Sequence, residues 1–152
     1  MSYPSIFKVA TLAENKKRLD KLTPESKPLW GKMSSAQMLA HLNLTYDTSR
    51  GKVRIELHPF MHVFLKTFLK KTLVGDKPYP KNAKTNPYYM VQEHKDFEEE
   101  KSLLLQNMQW VFEKGESYFE GRLTVSFGNL TAKEWSNLFQ KHLDHHFNQF
   151  GV

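Results

Sequence analysis

The chain has 152 residues, of which 39% are hydrophobic and 25% charged, and its formal net charge is +6. Because it contains no cysteine, disulfides, cysteine metal sites and a cysteine nucleophile are excluded, and a bound metal must be held by His, Asp or Glu. The length fits one domain over residues 1–152, no apolar run is long enough to span a membrane, and no secretory signal is visible at the N-terminus, so we expect a cytoplasmic protein.

The first two helices are predicted from the residues that begin and end them. Residues 12–22 form the first candidate, which ends at Thr23-Pro24. The second begins at residues 34–37, Ser-Ser-Ala-Gln, a capping box in which a hydroxyl and an amide satisfy free backbone donors. It is predicted to run to Arg50, before Gly51.

The third helix is predicted over residues 59–73, with Pro59 at the first helical position. It is amphipathic, with one apolar side and one lysine side (Phe60, Val63, Phe64 and Phe68; Lys66, Lys70 and Lys71). We expect the apolar side to pack in the core, and a position on a membrane surface is the alternative.

Residues 52–84 carry the whole positive excess, with eight Lys or Arg against two acidic residues (Lys52, Arg54, Lys66, Lys70, Lys71, Lys77, Lys81, Lys84; Glu56, Asp76). Such a region can attract nucleic acid, anionic lipid or an anionic small molecule, but we expect a solvated face. Residues 74–93 hold three prolines and are predicted to form a long ordered loop that lies over a site.

The last two helices are again predicted from their ends. The fourth starts at the capping box of residues 96–99 and stops before Gly115, and residues 117–127 form a short strand or a loop. A third capping box at residues 131–134 opens a helix that runs to about Phe150. Helices without a convincing sheet predict an all-α bundle.

Three of the seven histidines crowd into the last helix. Residues four apart lie on the same face of an α-helix, so His142 and His146 can direct two imidazoles at one ion. His41, in an apolar stretch of the second helix, is the best candidate for a third ligand, although a lone core histidine is usually only hydrogen-bonded. His145 can replace either partner, orient one of them or face solvent. Gln149 shares the face of His142 and His146, and it either binds a metal-bound water or substrate or is a helix-end polar residue.

Three stretches carry a resemblance to a known family: residues 30–42 (WGKMSSAQMLAHL), residues 82–87 (NAKTNP), and the ending with its H-x-x-H-H-x-x-Q pattern at residues 142–149. Together they resemble an uncharacterised bacterial family of the DinB/YfiT-like superfamily of metalloenzymes, over residues 19–152. The resemblance implies a four-helix bundle in up-down-down-up order with a long crossover, and often a homodimer. It also assigns the metal to His41, His142 and His146. Asn148 departs from the pattern, since many members carry glycine there.

The resemblance leaves the reaction open. Characterised relatives include transferases and isomerases that use low-molecular-weight thiols such as bacillithiol or mycothiol. Three neutral histidines leave an open coordination position, as in catalytic sites, and Zn or Ni is the expected metal. The H-E-x-x-H arrangement of zincin peptidases is absent, and the sequence names no general base.

The first functional hypothesis is a metal-dependent transferase or hydrolase that acts on a small molecule, with a thiol as a candidate cofactor. The alternatives are a non-catalytic helical binding module and a basic nucleic-acid-binding protein, which metal content and salt-sensitive nucleic-acid binding would distinguish. Nucleic acid is not expected as a partner.

A homodimer is expected, since residues 60–68 offer apolar area beyond the needs of one core.

Overall fold

A computed structural model of the chain describes residues 2–53, 56, 58–83 and 87–152, without the side chain of His62. Arg54 and Lys84 of the basic segment therefore lie outside the described residues. So do Thr85 and Asn86, within the second stretch of the family resemblance. The described chain is mostly helical, in agreement with the predicted all-α class.

The first two helices differ in how clearly their sequences mark them. Helix α1 spans Val9–Asp20 and begins earlier than predicted. Its start was missed because Lys8, the residue before the helix, makes no side-chain capping bond. Helix α2 spans Ser35–Ser49, as predicted. Its capping box is complete: the Ser34 hydroxyl accepts from the Gln37 N–H at 3.2 Å, and the Gln37 side chain accepts from the Ser34 N–H at 3.0 Å.

The third predicted helix is divided in the structure. Helix α3 spans Pro59–Phe64, a π-helical turn follows at Leu65–Leu69, and helix α4 spans Lys70–Val74. The loop that follows contains a short 3-10 turn at Pro87–Tyr89. A π-helical turn rotates the side chains that follow it relative to a regular α-helix.

Helix α5 spans Phe97–Phe119 and starts at Asp96, whose carboxylate accepts from the Glu99 N–H at 2.9 Å. The predicted stop before Gly115 coincides with a break in the helix, because Gly115 has non-helical backbone angles with a left-handed φ of 70°. A second helical segment, which the sequence did not predict, continues to Phe119. Phe119 is fully buried against the rings of other helices, and this tertiary contact explains the extra turn.

A short hairpin and the last helix complete the fold. Strands β1 (Arg122–Thr124) and β2 (Gly128–Leu130) pair antiparallel, with Leu123 opposite Asn129. The sequence indicated a strand or loop before Gly128 and no second strand, because three residues are too few for a periodic signal. Helix α6 spans Ala132–Gln149 and begins with the predicted capping box between Thr131 and Glu134.

Helices α1, α2, α5 and α6 pack against one another around a shared apolar cluster. Aromatic rings form one end of it: Tyr46 stacks on Phe139 with ring centroids 4.8 Å apart, and Phe139 stacks on Trp135. This packing fixes the rotation of α2 and α6, and so decides which of their polar residues face each other.

The expectation that the apolar side of residues 59–73 packs in the core is wrong for most of that side. Phe60, Val63, Phe64 and Phe68 are exposed. Leu65 is buried instead, and Leu69 and Leu73 pack partly against the core. Among the described residues, no helix is both long and apolar enough to cross a membrane.

Candidate metal centre

The candidate site lies where one face of α6 meets one face of α2. His142 and His146 are one helical turn apart on α6, and Gln149 follows on the same face. On α2, His41 and Thr45 are likewise four residues apart. Packing of the two helices brings these two rows of side chains together, as the spacing in the sequence predicted for the histidines.

The three imidazoles meet through their Nε2 atoms. His41 Nε2 lies 2.9 Å from His142 Nε2, and His146 Nε2 lies 3.2 Å from the same atom. Among the described residues, these three form the group of His, Asp and Glu side chains whose potential ligand atoms all lie within 4.8 Å of one another. The three histidines are therefore close enough to bind one metal ion, and the predicted ligand set is brought together.

Each Nδ1 atom points away from this meeting point and has its own partner. His41 Nδ1 lies 2.7 Å from the Tyr89 carbonyl, and His142 Nδ1 lies 3.1 Å from the Thr45 hydroxyl. His146 Nδ1 lies 2.7 Å from Gln149 Oε1. A hydrogen bond at the outer nitrogen orients the ring and favours the tautomer whose inner nitrogen can bind a metal.

Two of these partners determine which nitrogen carries the proton. A carbonyl oxygen only accepts, so His41 Nδ1–H donates to Tyr89 and its Nε2 keeps a lone pair. Gln149 Nε2 donates to the Trp30 carbonyl at 2.7 Å, which leaves Oε1 to accept from His146 Nδ1–H. His142 Nε2 therefore faces two lone pairs, and its single proton could satisfy only one of them.

A cation at the meeting point would satisfy all three nitrogens. Nitrogen ligands about 2.0–2.1 Å from a tetrahedral zinc lie roughly 3.3 Å apart. The observed separations of 2.9 Å and 3.2 Å are close to that value. The residues present thus fit a transition metal in donor type, and their three nitrogens all lie within 4.8 Å of one another, close enough to bind one ion.

Burial keeps the three rings neutral. The pKa of His146 is lowered to about 3, mainly by desolvation and next by the nearby His41, while its hydrogen bond to Gln149 acts in the opposite direction. Desolvation, followed by the neighbouring histidines, holds the pKa of His142 well below its usual value. Burial also lowers the pKa of His41, although its bond to the Tyr89 carbonyl raises it. Neutral imidazole is the form that binds a metal.

His145 lies beside the three ligands without joining them. Its ring contacts the rings of His146, Tyr79 and Trp30, with centroids 5.0, 5.6 and 5.9 Å apart. It is half-buried. The spacing argument had left pairs with His145 open, and the geometry favours His142 with His146. A role for His145 or Gln149 in binding a cofactor stays a prediction.

Gln149 forms hydrogen bonds through both its side-chain amide and its backbone carbonyl. Besides its bonds to His146 and Trp30, its own carbonyl accepts from the Leu29 N–H at 2.7 Å. Gly31 has a φ of +83°, and a Cβ there would lie 2.7 Å from Gln149 Nε2. A glycine is therefore needed for the close approach of this loop to the end of α6.

The loop between α4 and α5 also contacts the site, as its prolines suggested. Tyr89 supplies the carbonyl that orients His41, and the Tyr79 ring lies 6.3 Å from the ring of His142. Lys141, fully buried beside His142, donates to the carbonyls of Thr72 and Gly75 at 2.6 and 2.9 Å. The amine thereby joins the end of α4 to α6.

Sequence reasoning missed the partners of the rings. Thr45 could have been identified from the sequence, since it lies one turn after His41 on the same helical face. Tyr89 acts through its backbone carbonyl, and any residue carries one, so no side-chain pattern could identify it. Asp144, two residues from His142 and from His146, should face away from both by helix geometry, and its carboxylate pairs with Arg18 at 2.7 Å.

Replacing Thr45 by valine is expected to weaken metal binding by about 10- to 100-fold, as loss of an outer-shell bond to a ligand typically does. Valine keeps the side-chain volume but offers His142 Nδ1 no partner. Competition with a chromophoric chelator measures the change in affinity. Thr124→Val is the matched control, because the Thr124 hydroxyl donates to the Gly128 carbonyl within the β1–β2 hairpin. Equal affinities for both variants would contradict an orienting role for Thr45.

Comparisons with known proteins assign a family. No curated protein and no solved structure matched the chain. A family model described as "protein of unknown function (DUF1569)" matches residues 4–151. Because this match covers nearly the whole chain, the protein belongs to the DUF1569 family.

Proposed function

We propose that the protein is a metal-dependent enzyme in which His41, His142 and His146 hold one divalent transition metal, Zn or Ni. The observation that carries the proposal is the convergence of three Nε2 atoms whose outer nitrogens are each hydrogen-bonded. Core histidines are ordinarily hydrogen-bonded through their outer nitrogens as well. The feature that favours a metal is the meeting of three Nε2 atoms, because the single proton among them can satisfy only one of the two facing lone pairs.

The donor set favours a catalytic over a structural ion. Three protein ligands leave a coordination position for water or substrate, whereas structural zinc sites are closed by four. An ion bound by neutral ligands would lower the pKa of a water or thiol at that position, which supplies a nucleophile near neutral pH.

The acidic residues of the chain argue against one reaction class, that of peptidases with a glutamate base. The converging group contains no carboxylate, and Asp144, the only acidic residue between the two α6 ligands, is engaged by Arg18. A peptidase-type glutamate base is therefore not supported. We propose a transferase or hydrolase that acts on a small molecule in the cytoplasm, with a low-molecular-weight thiol as the candidate co-substrate.

The proposal includes the DinB/YfiT-like arrangement, a four-helix bundle in up-down-down-up order. Mutual packing of α1, α2, α5 and α6 supports it, as does the location of the histidines on two of these helices. The segment of α3, the π-helical turn and α4 would then belong to the crossover between α2 and α5.

Protein purified without a chelator or a histidine tag is expected to contain about one transition-metal ion per chain, because three imidazoles form a borderline-soft nitrogen site. Elemental analysis by mass spectrometry measures the content. Less than about a tenth of an ion per chain, even after incubation with each metal, would reject the enzyme proposal and favour a non-catalytic binding module.

A further inference from the structure

Four exposed apolar side chains follow one another along α3 and the π-helical turn, and we call them the aromatic ridge (Phe60, Val63, Phe64 and Phe68). Phe60 and Phe68 are 75% and 66% exposed, and the rings of Phe64 and Phe68 lie 5.3 Å apart. Leu65, between them in sequence, is buried and anchors the segment to the core. Grouped exposed apolar side chains commonly mark a surface that binds something.

A groove of about 470 Å³ adjoins the same segment, and we call it the lysine groove. Four lysines line it: Lys66, Lys70, Lys71 and Lys133. Glu134 pairs with Lys70 at 3.0 Å. Within the part of the chain that the structure describes, the other three lysines form no ion pair with a carboxylate. Asp76 and Glu134 also line the groove, so the four lysines leave it with a net charge of +2 (4 − 2) next to the segment that carries the ridge.

The ridge and the groove together require a partner that is apolar and anionic on one surface. We propose that this face binds the surface of an anionic phospholipid bilayer. The aromatic ridge would enter the boundary between headgroups and acyl chains, and the lysine groove would bind headgroup phosphates. Apolar side chains flanked by lysines are the features of helices that lie in the membrane interface.

A second copy of the chain fits this face less well. The homodimer expected from the sequence would use residues 60–68, and a second copy does offer the same apolar area. It also brings its own lysine groove, which four lysines line against two carboxylates, Asp76 and Glu134. A second copy would therefore place two grooves of net charge +2 (4 − 2) near each other, whereas an anionic bilayer supplies negative charge over the whole contact.

The proposal is independent of the metal centre and is tested by vesicle flotation of the full chain. Vesicles of phosphatidylcholine with about 30% phosphatidylserine are compared with vesicles of phosphatidylcholine alone, at low and high salt. We expect binding to the anionic vesicles that weakens with salt, since screening reduces the attraction between lysines and lipid. Light scattering on the same protein measures its oligomeric state.

Two double variants separate the ridge from the groove. Phe60→Ser with Phe68→Ser removes apolar side chains outside the core, and binding is expected to fall by more than about tenfold. Lys66→Gln with Lys71→Gln keeps the Lys70–Glu134 pair, and binding is expected to fall about fivefold per lysine.

Matched controls change the same chemistry elsewhere. Val9→Ser with Leu29→Ser replaces side chains that are 70% and 71% exposed, and Lys17→Gln with Lys21→Gln removes the same charge from the end of α1. Both pairs are expected to bind anionic vesicles as the wild type does. Circular dichroism checks that every variant is folded.

Three results would overturn the proposal. The first is equal binding to neutral and anionic vesicles, and the second is an equal loss of binding in the ridge variant and its control. The third is a dimer that binds no vesicles and becomes a monomer when Phe60 and Phe68 are replaced, which would assign the face to a second copy of the chain.

Discussion

Replacing His41, His142 or His146 by alanine is expected to remove bound metal, whereas His145→Ala should keep it. Each of the first three contributes an Nε2 atom to the meeting point, and two remaining ligands would hold an ion far more weakly. His145 only contacts its neighbours through ring faces and edges. Its loss should cost no more than the roughly 10- to 100-fold typical of groups around the ligands.

Equilibrium dialysis against zinc, followed by elemental analysis, measures the zinc bound per chain in each of the four variants. His94→Ala is the matched control, because His94 is exposed and lies in a loop. Circular dichroism verifies that the helices persist, which is expected since the apolar core does not depend on the ligands. If His145→Ala abolished binding while His142→Ala or His146→Ala left it intact, the assignment of the α6 pair would be wrong.

The metal-free protein is expected to lose stability as the pH falls from about 6.5 toward 3. In the unfolded chain a histidine takes up a proton near pH 6.5, but burial lowers the pKa of folded His146 to about 3. Between these values the unfolded state binds the extra proton, so acid favours unfolding, and the full stability is present above pH 6.5. The loss attributable to His146 is on the order of a few kcal/mol, and His142 acts in the same direction.

Urea unfolding of dialysed protein at a series of pH values from 7.5 to about 4.5 would measure this loss. The variant His146→Ala lacks the buried ring and should show a shallower decline than the wild type. His94→Ala removes an exposed histidine and should decline in parallel with the wild type. Parallel curves for all three proteins would show that burial of His146 does not drive the pH dependence.

The sequence predicted much of the secondary structure because the signals that start and end helices act over a few residues. The capping boxes at Ser34 and Thr131 each join residues three apart, and both are present in the structure. The spacing of His142 and His146 likewise implies a shared face from helix geometry alone. His41 was identified less directly, from its position among apolar residues of a helix expected to face the core.

The environment of the ligands depended on contacts between distant parts of the chain. His41 meets the Tyr89 carbonyl across 48 positions, His142 meets Thr45 across 97, and Gln149 meets Trp30 across 119. No local pattern encodes such a partner, because the pairing depends on how the packed helices are rotated. For the same reason the sequence favoured a buried apolar side for the α3 region.

The periodicity of residues 59–73 by itself determined an amphipathic helix, and the four helices that pack around the core decided where its apolar side lies. Hydrophobic periodicity shows that a side chain can be buried, but burial also requires a neighbouring surface to cover it. The other helices fill the core with Phe119, Trp135 and Phe139, and the π-helical turn buries Leu65 in place of Phe64 and Phe68. The sequence alone therefore determined where α2 and α6 begin and which α6 histidines share a face, and the tertiary packing decided the partners of those histidines.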